Sequence, residues 1–343
     1  YESLFEGCGG MTVAPIVEIP STIVNISKMY KGCNSLVSID GLVLHRNITD
    51  TTEFIADCNN LINANNVTIA GSFYNDIFRG VTSIKYVNNL LISYIGRSMS
   101  FAHMFDGCSN LVEMSFHDNS YVKDVISMDY MFAGTRMRTV DFSNVNFEKV
   151  NSIRYMFANG LMEEFSYTVP ITIISIQGFL SGCRNLRTLR NFVVPTNVST
   201  LNWLDDTSVE NLIDCSFNTQ YTRFTDYTSL KVVENLEYTG TDFSNYFKGC
   251  TSLQRVSLTL PSTTTKAESS FANCPNLTQI NFKTSDLSNV TSINGMFNGD
   301  TSLTTINNLR ITKSSTTADN TTLVGCPISN TDGLYINSNN ALN

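Results

Sequence analysis

The chain has 343 residues, of which 15% are charged, and a formal net charge of −8. Ordinary soluble chains carry roughly 25% charged residues; here Asn, Ser and Thr take that share, as in many secreted and particle-surface proteins. The negative balance disfavours nucleic acid as a partner, and the chain contains no apolar run of about eighteen residues that would span a membrane.

Taken in order, the chain repeats one unit from its first residues to its last. Met29-Tyr30-Lys31-Gly32-Cys33-Asn34-Ser35-Leu36, Met104-Phe105-Asp106-Gly107-Cys108-Ser109-Asn110-Leu111 and Tyr246-Phe247-Lys248-Gly249-Cys250-Thr251-Ser252-Leu253 are three copies. With the second residue of each Met-Phe-like pair as anchor, the anchors are Phe5, Tyr30, Ile55, Phe78, Phe105, Phe132, Phe157, Leu180, Leu204, Phe224, Phe247, Phe271, Phe297 and Leu323, spaced 20 to 27 residues apart. Periods of this length signal a solenoid. Two residues after every anchor stands Gly, Asn or Asp, the residues that tolerate a left-handed backbone. The anchor is therefore predicted on a short helical or 3₁₀ turn closed by that residue. A phosphate-cradling glycine loop is excluded, because it would have to recur fourteen times.

About six residues after most anchors comes Leu, Ile or Met, then two mostly polar residues, then another apolar one. Leu36-Val-Ser-Ile39, Leu186-Arg-Thr-Leu189 and Leu303-Thr-Thr-Ile306 are examples. A further apolar residue two positions on (Phe116, Leu258, Phe282) completes the L-x-x-L-x-L pattern of a leucine-rich repeat, whose closing alternation predicts a short strand with one buried face. Polar return segments, such as 143–153 and 287–293, lead to the next anchor. Eight of the nine cysteines (Cys8, Cys33, Cys58, Cys108, Cys183, Cys250, Cys274 and Cys326) fall three residues after an anchor. Stacked coils are expected to align them as a column of reduced, buried thiols behaving as small hydrophobes. No Cys-x-x-Cys pair supports zinc.

The stretch 290–306, Val-Thr-Ser-Ile-Asn-Gly-Met-Phe-Asn-Gly-Asp-Thr-Ser-Leu-Thr-Thr-Ile, resembles the BspA-like leucine-rich repeat, and 141–157 resembles the related bacterial surface protein repeat with its Met-Phe pair. The resemblance covers nearly all of residues 1–330. It implies a repeat solenoid: a curved right-handed coil with a parallel β-sheet on one face and short helical turns or irregular segments on the other. It further implies an extracellular or cell-surface protein that binds a protein or glycan on another cell or particle, without enzymatic activity, cofactor or metal. Similar repeats occur in phage particles, so a structural virion role (tail, fibre or decoration component) is the alternative.

Departures from the repeat locate the remaining expectations. The solenoid of about 14 units is assigned to residues 1–330, with 331–343 as a polar cap or tail. Region 191–227 fits worst and holds the single Trp203 and the off-column Cys215. The N-terminal end begins at an anchor and is expected to meet a neighbouring domain or subunit, since an uncapped coil exposes core and strand edge. His45, His103 and His117 are the three histidines, and none sits in a hydrolase, zinc-protease or P-loop motif. Glu163-Glu164 and Asp205-Asp206 are adjacent acids without a catalytic context. No catalytic, cofactor-binding or metal residues are predicted. The candidate binding face is the row of polar strand positions, with Glu113, Arg138, Glu163, Glu164, Arg187, Lys231 and Arg255 on it and Trp203 beside it, because solenoids bind partners on such extended sheets.

Overall fold

The computed structural model describes every residue except 16–18, 72–73, 95–98, 119, 121, 123, 139–141, 143–147, 197, 218–222, 284–286, 331, 334 and 339–343. Part of the 141–157 repeat and of its return segment, and part of 191–227, thus lie outside the described residues. The chain forms two compact units. One comprises residues 1–163, 172–186 and 200–207, the other 164–171, 187–199 and 208–343.

Among the described residues all strand pairs are parallel. In the first unit β1 (Thr68–Gly71), β2 (Tyr86–Tyr94) and β4 (Glu113–Phe116) form one sheet in the order β1-β2-β4, and β3 (Met99–Ser100) pairs with β5 (Val125–Ser127). The second unit contains β6 (Glu164–Phe165), β7 (Thr188–Arg190), β8 (Val193–Val194), β9 (Asn211–Ile213), β10 (Ser216–Phe217), β11 (Val232–Tyr238), β12 (Arg255–Thr259), β13 (Gln279–Phe282), β14 (Thr305–Asn307), β15 (Arg310–Thr316) and β16 (Tyr335–Ser338). Its main sheet runs β14-β13-β12-β11-β9-β7-β6, while β10 pairs with β8 and β11, and β15 with β16. Each coil thus adds one strand in register to the last, the arrangement of a parallel β-solenoid. The segment expected as a polar tail contributes β16.

The anchor turn differs from a helical one in a specific way. No helix occurs among the described residues. In the Phe105 coil, the amides of Met104, Asp106 and Cys108 bond locally to the carbonyls of Phe101, His103 and Phe105, whereas those of His103, Phe105 and Gly107 donate to Asp129, Met131 and Ala133 of the next coil. Alternate amides therefore close the turn and bind the coils together. This geometry needs a left-handed residue two positions after the anchor. All fourteen Gly, Asn and Asp residues read from the sequence have φ between 55° and 83°. It also needs one two positions before the anchor, where Lys28, Glu53, Asp76, His103, Tyr130 and Tyr155 have φ from 53° to 59°. A left-handed side-chain-bearing residue costs roughly 1–2 kcal/mol, which the bonds to the next coil offset.

The core is built from columns. Leu36, Leu61, Leu111, Leu186, Leu253, Leu277 and Leu303 are fully buried. Anchor rings stack between coils, with centroids 4.9 Å apart for Phe78–Phe105, 5.6 Å for Phe105–Phe132 and 5.4 Å for Phe132–Phe157; in the second unit Phe247–Phe271 and Phe271–Phe297 repeat this at 5.7 and 5.8 Å.

A second corner lies at the strand's end. Gly41, Asn66, Asn89, Asn191, Asp214, Asn235 and Asn308 all have positive φ. Where a coil with this residue meets one without it, the ladder takes up one extra residue. Val233 pairs with Val256 and Leu236 with Leu258, leaving Glu234 and Asn235 opposite Ser257, and Val87–Leu90 against Met114–Phe116 repeats the bulge. The bulge amide is satisfied by the facing serine: Asn89 N–H donates to Ser115 Oγ at 3.0 Å and Asn235 N–H to Ser257 Oγ at 2.9 Å.

Candidate functional site: the outward sheet face

The cysteines settle as structure. All nine are free. Cys33, Cys58, Cys108, Cys183, Cys250, Cys274 and Cys326 each donate to an anchor carbonyl one coil back, at 3.0 to 3.2 Å. Burial pushes the Cys58, Cys183 and Cys250 thiols up to about 12, far from the thiolate that a nucleophile or metal ligand needs. The off-column Cys215 is also buried, its thiol facing the Leu189 and Ile213 carbonyls at 3.4 Å. No cluster of three metal-ligating side chains occurs among the described residues. His103 contacts Asp106 at 2.8 Å and stacks on Tyr130 with ring centroids 4.7 Å apart, a corner contact rather than an acid–base pair facing a cleft.

The sheet face is different, because strand alternation turns every second side chain outward. In the second unit, Thr188, Asn211, Val232, Arg255, Gln279 and Thr305 stand in register across six strands. Beside them Glu210 sits between Arg187 (3.6 Å) and Lys231 (2.8 Å), and Glu164 pairs with Arg190 at 2.9 Å. Glu210 was not among the residues singled out in the sequence, where nothing marked it as the partner of two cations. Farther along, Glu234, Arg255, Ser257, Gln279 and Asn281 rim a depression of about 210 Å³ floored by Val233 and Val256. Lys283 reaches Asn235, which in turn donates to Asp214 at 2.7 Å.

In the first unit Glu113, Arg138 and Glu163 are exposed. Exposed apolar residues absent from the sequence reading also lie here: Val37 and Ile62, one position before the paired Ser38 and Asn63, and Tyr86, in register with Asn63, are 40%, 47% and 41% exposed, with the Lys85 amine 5.1 Å from the Tyr86 ring centre. Their β-branched or aromatic character in an alternating segment reads as core, which is why sequence alone passed over them. A separate crevice of about 550 Å³ near the first strand bridges is lined by Val13, Pro15, Tyr30, Leu42, His45 and Phe54, among others. Trp203, expected beside the binding face, belongs elsewhere. It is 6% exposed, because it occupies the inward position just before the Leu204 anchor, and its carbonyl accepts from Leu180 N–H at 2.9 Å.

Residues 220–336 match the model of the BspA-type leucine-rich repeat region in six copies, and residues 73–169 match that of a Mycoplasma protein of unknown function, DUF285. No curated protein matches the chain. Among solved structures, a leucine-rich repeat protein from Bacteroides ovatus is 18% identical, covering 92% of this chain and 70% of that one with a TM-score of 0.37. A leucine-rich cell surface protein from Faecalibacterium prausnitzii is 16% identical, covering 83% and 76% with a TM-score of 0.31. A leucine-rich repeat protein from Leptospira interrogans is 12% identical, covering 93% and 91% with a TM-score of 0.25. On its parallel coils the protein is a parallel β-solenoid of repeated units, and its residues 220–336 match the BspA-type leucine-rich repeat region.

Proposed function

We propose that the protein is a non-enzymatic recognition module, displayed at a cell surface, that binds a protein or glycan of another cell or particle through its outward sheet face. The observation that carries this reading is the in-register polar face of the second unit, with Glu210 between two cations and an open depression between Glu234, Arg255 and Gln279. Most of what else recurs in the repeat is committed to the core: the anchor rings, thiols and leucines of the inner coils are buried, and the residues two positions after each anchor serve the backbone. The strand positions vary in chemistry while keeping a fixed spacing on one extended sheet, which is what a recognition surface requires. Glu210 is paired there with Arg187 and Lys231, and Glu164 with Arg190, at the surface, where such pairs contribute little to stability, so exchanging them for a partner's groups costs little.

The test is binding to a panel of glycans and purified extracellular-matrix proteins. A variant carrying Arg187→Ala, Lys231→Ala and Arg255→Ala is compared with one carrying Lys266→Ala, an exposed residue outside the strands. The reading expects the face variant to lose at least tenfold in affinity for the ligand found and the control to retain it. Equal binding by both would refute it.

A further inference from the structure

Three residues after the anchor eight coils carry cysteine and six do not: Val81, Thr135, Gly160, Thr207, Tyr227 and Asp300 stand there instead, and Asp300 alone of these is ionisable as an acid below about pH 9. Asp300 follows the Phe297 anchor and stands between Cys274 of the preceding coil and Cys326 of the following one. The column has a fixed rule in this region. Cys274 donates to the Phe247 carbonyl at 3.1 Å and Cys326 to the Phe297 carbonyl at 3.0 Å. The carbonyl between them, that of Phe271, falls to Asp300.

Asp300 is fully buried. Its Oδ1 accepts the Cys274 amide at 2.8 Å. In neighbouring coils the corresponding amide bonds to its own anchor carbonyl: Cys250 to Phe247, Asp300 to Phe297 and Cys326 to Leu323, each at 3.2 Å. Asp300 has drawn the Cys274 amide away from Phe271. The Phe271 carbonyl thus receives neither the amide nor a thiol among the described residues. The second carboxyl oxygen of Asp300, Oδ2, is buried with no hydrogen-bond donor. Ionised, the group would place an uncompensated charge in the core, at a cost few folds bear. Protonated, it gains one O–H donor, and the unfilled acceptor is the carbonyl that a thiol would reach from the same position.

We propose that Asp300 is held protonated in the folded protein and that its Oδ2–H donates to the Phe271 carbonyl, replacing the missing thiol and tying the last coils together through a single proton. Burial acts in the same direction, pushing the carboxyl up to about 8. The titratable groups facing it are Cys274 and Cys326, both raised by their own burial and so neutral. Among the described residues no cation acts on it.

The consequence for stability has a definite sign. The folded-state value lies above the ordinary 3.8, so the stabilisation is fully present below about pH 4. Between that point and about pH 8 the unfolded chain releases a proton that the folded chain keeps, and the folding equilibrium constant falls about tenfold per pH unit from this group alone. Above about 8 both states are ionised and the loss levels off.

Asp300→Asn tests this directly, because the amide can accept from Cys274 with its oxygen and donate to Phe271 with its nitrogen without titrating. Urea unfolding of the full chain is followed from pH 4.5 to 8 for both proteins, other titrating groups being common to the two. The proposal expects the wild-type equilibrium constant to fall relative to Asp300→Asn by about tenfold per pH unit. It also expects the infrared band of a protonated carboxyl at pH 7 in the wild type, missing from the variant. Parallel pH profiles, or the absence of that band from the wild type, would overturn it.

Discussion

The Cys108 thiol donates to the Phe78 carbonyl at 3.0 Å, across one coil boundary. The contact explains why cysteine recurs at this place. The side chain is small enough for the column, apolar enough for the core, and carries one weak donor for an anchor carbonyl. Cys108→Ala removes both the bond and part of the packing, and should cost about 1–2 kcal/mol in urea unfolding. Cys8→Ala, at an exposed thiol, should cost under about 0.5 kcal/mol. Equal effects would mean that the column does not stabilise the coils.

Where a glycine follows an Asx residue at the left-handed corner, the two are matched for a steric reason. Gly249 has φ +75°, and a Cβ placed there would lie 2.0 Å from Asp226 Oδ1 of the preceding coil, whereas one at Gly107 meets only Gly80 backbone at 3.5 Å. Gly107→Ala should therefore cost the left-handed penalty of roughly 1–2 kcal/mol. Gly249→Ala should cost about 1 kcal/mol more, for the off-rotamer displacement of Asp226. Adding Asp226→Gly should remove that excess in a double-mutant cycle. An additive pair would contradict the steric account.

The bulged strands rest on single serines. Ser257 Oγ receives the Asn235 amide at 2.9 Å, and Ser257→Ala would leave a strand amide without its partner. A loss of about 1–3 kcal/mol is expected, with faster hydrogen exchange at the Asn235 amide. Unchanged exchange there would show that the bulge is held by its neighbours instead.

How far the sequence revealed this molecule depends on which residues carried the signal. The corner after each anchor was legible because Gly, Asn and Asp are the residues that adopt positive φ at low cost, so Asp57, Asn159 and Gly249 announced the same geometry despite different chemistry. The corner before each anchor was not, since Lys28, Glu53 and Tyr130 have no such preference; bonds to the next coil hold them there. Those same bonds are why the turn is not the expected helical one. The second corner had a signal that went unread: Asn, Asp or Gly stands two residues after Ile39, Val87, Leu212 and Val233. On the face, charged strand residues were legible as outward by alternation, but their pairing was not. Glu210 bonds to cations 21 and 23 residues away in sequence, at positions set by coil length. Trp203 was drawn to the face by its rarity, whereas its place before an anchor put it in the core.

The central claim is that the recurring unit is a structural corner, with its cysteines reduced and, in the inner coils, sealed, so that recognition is left to the strand positions. Thiol labelling read by mass spectrometry, in the folded protein and in denaturant without reductant, tests this most directly. The account predicts nine labelled cysteines in denaturant and, in the folded protein, fast labelling of Cys8, slower labelling of Cys326 and protection of the seven buried thiols. Fewer than nine free thiols in denaturant, or rapid labelling of Cys58, Cys108, Cys183 or Cys250 in the folded protein, would contradict it.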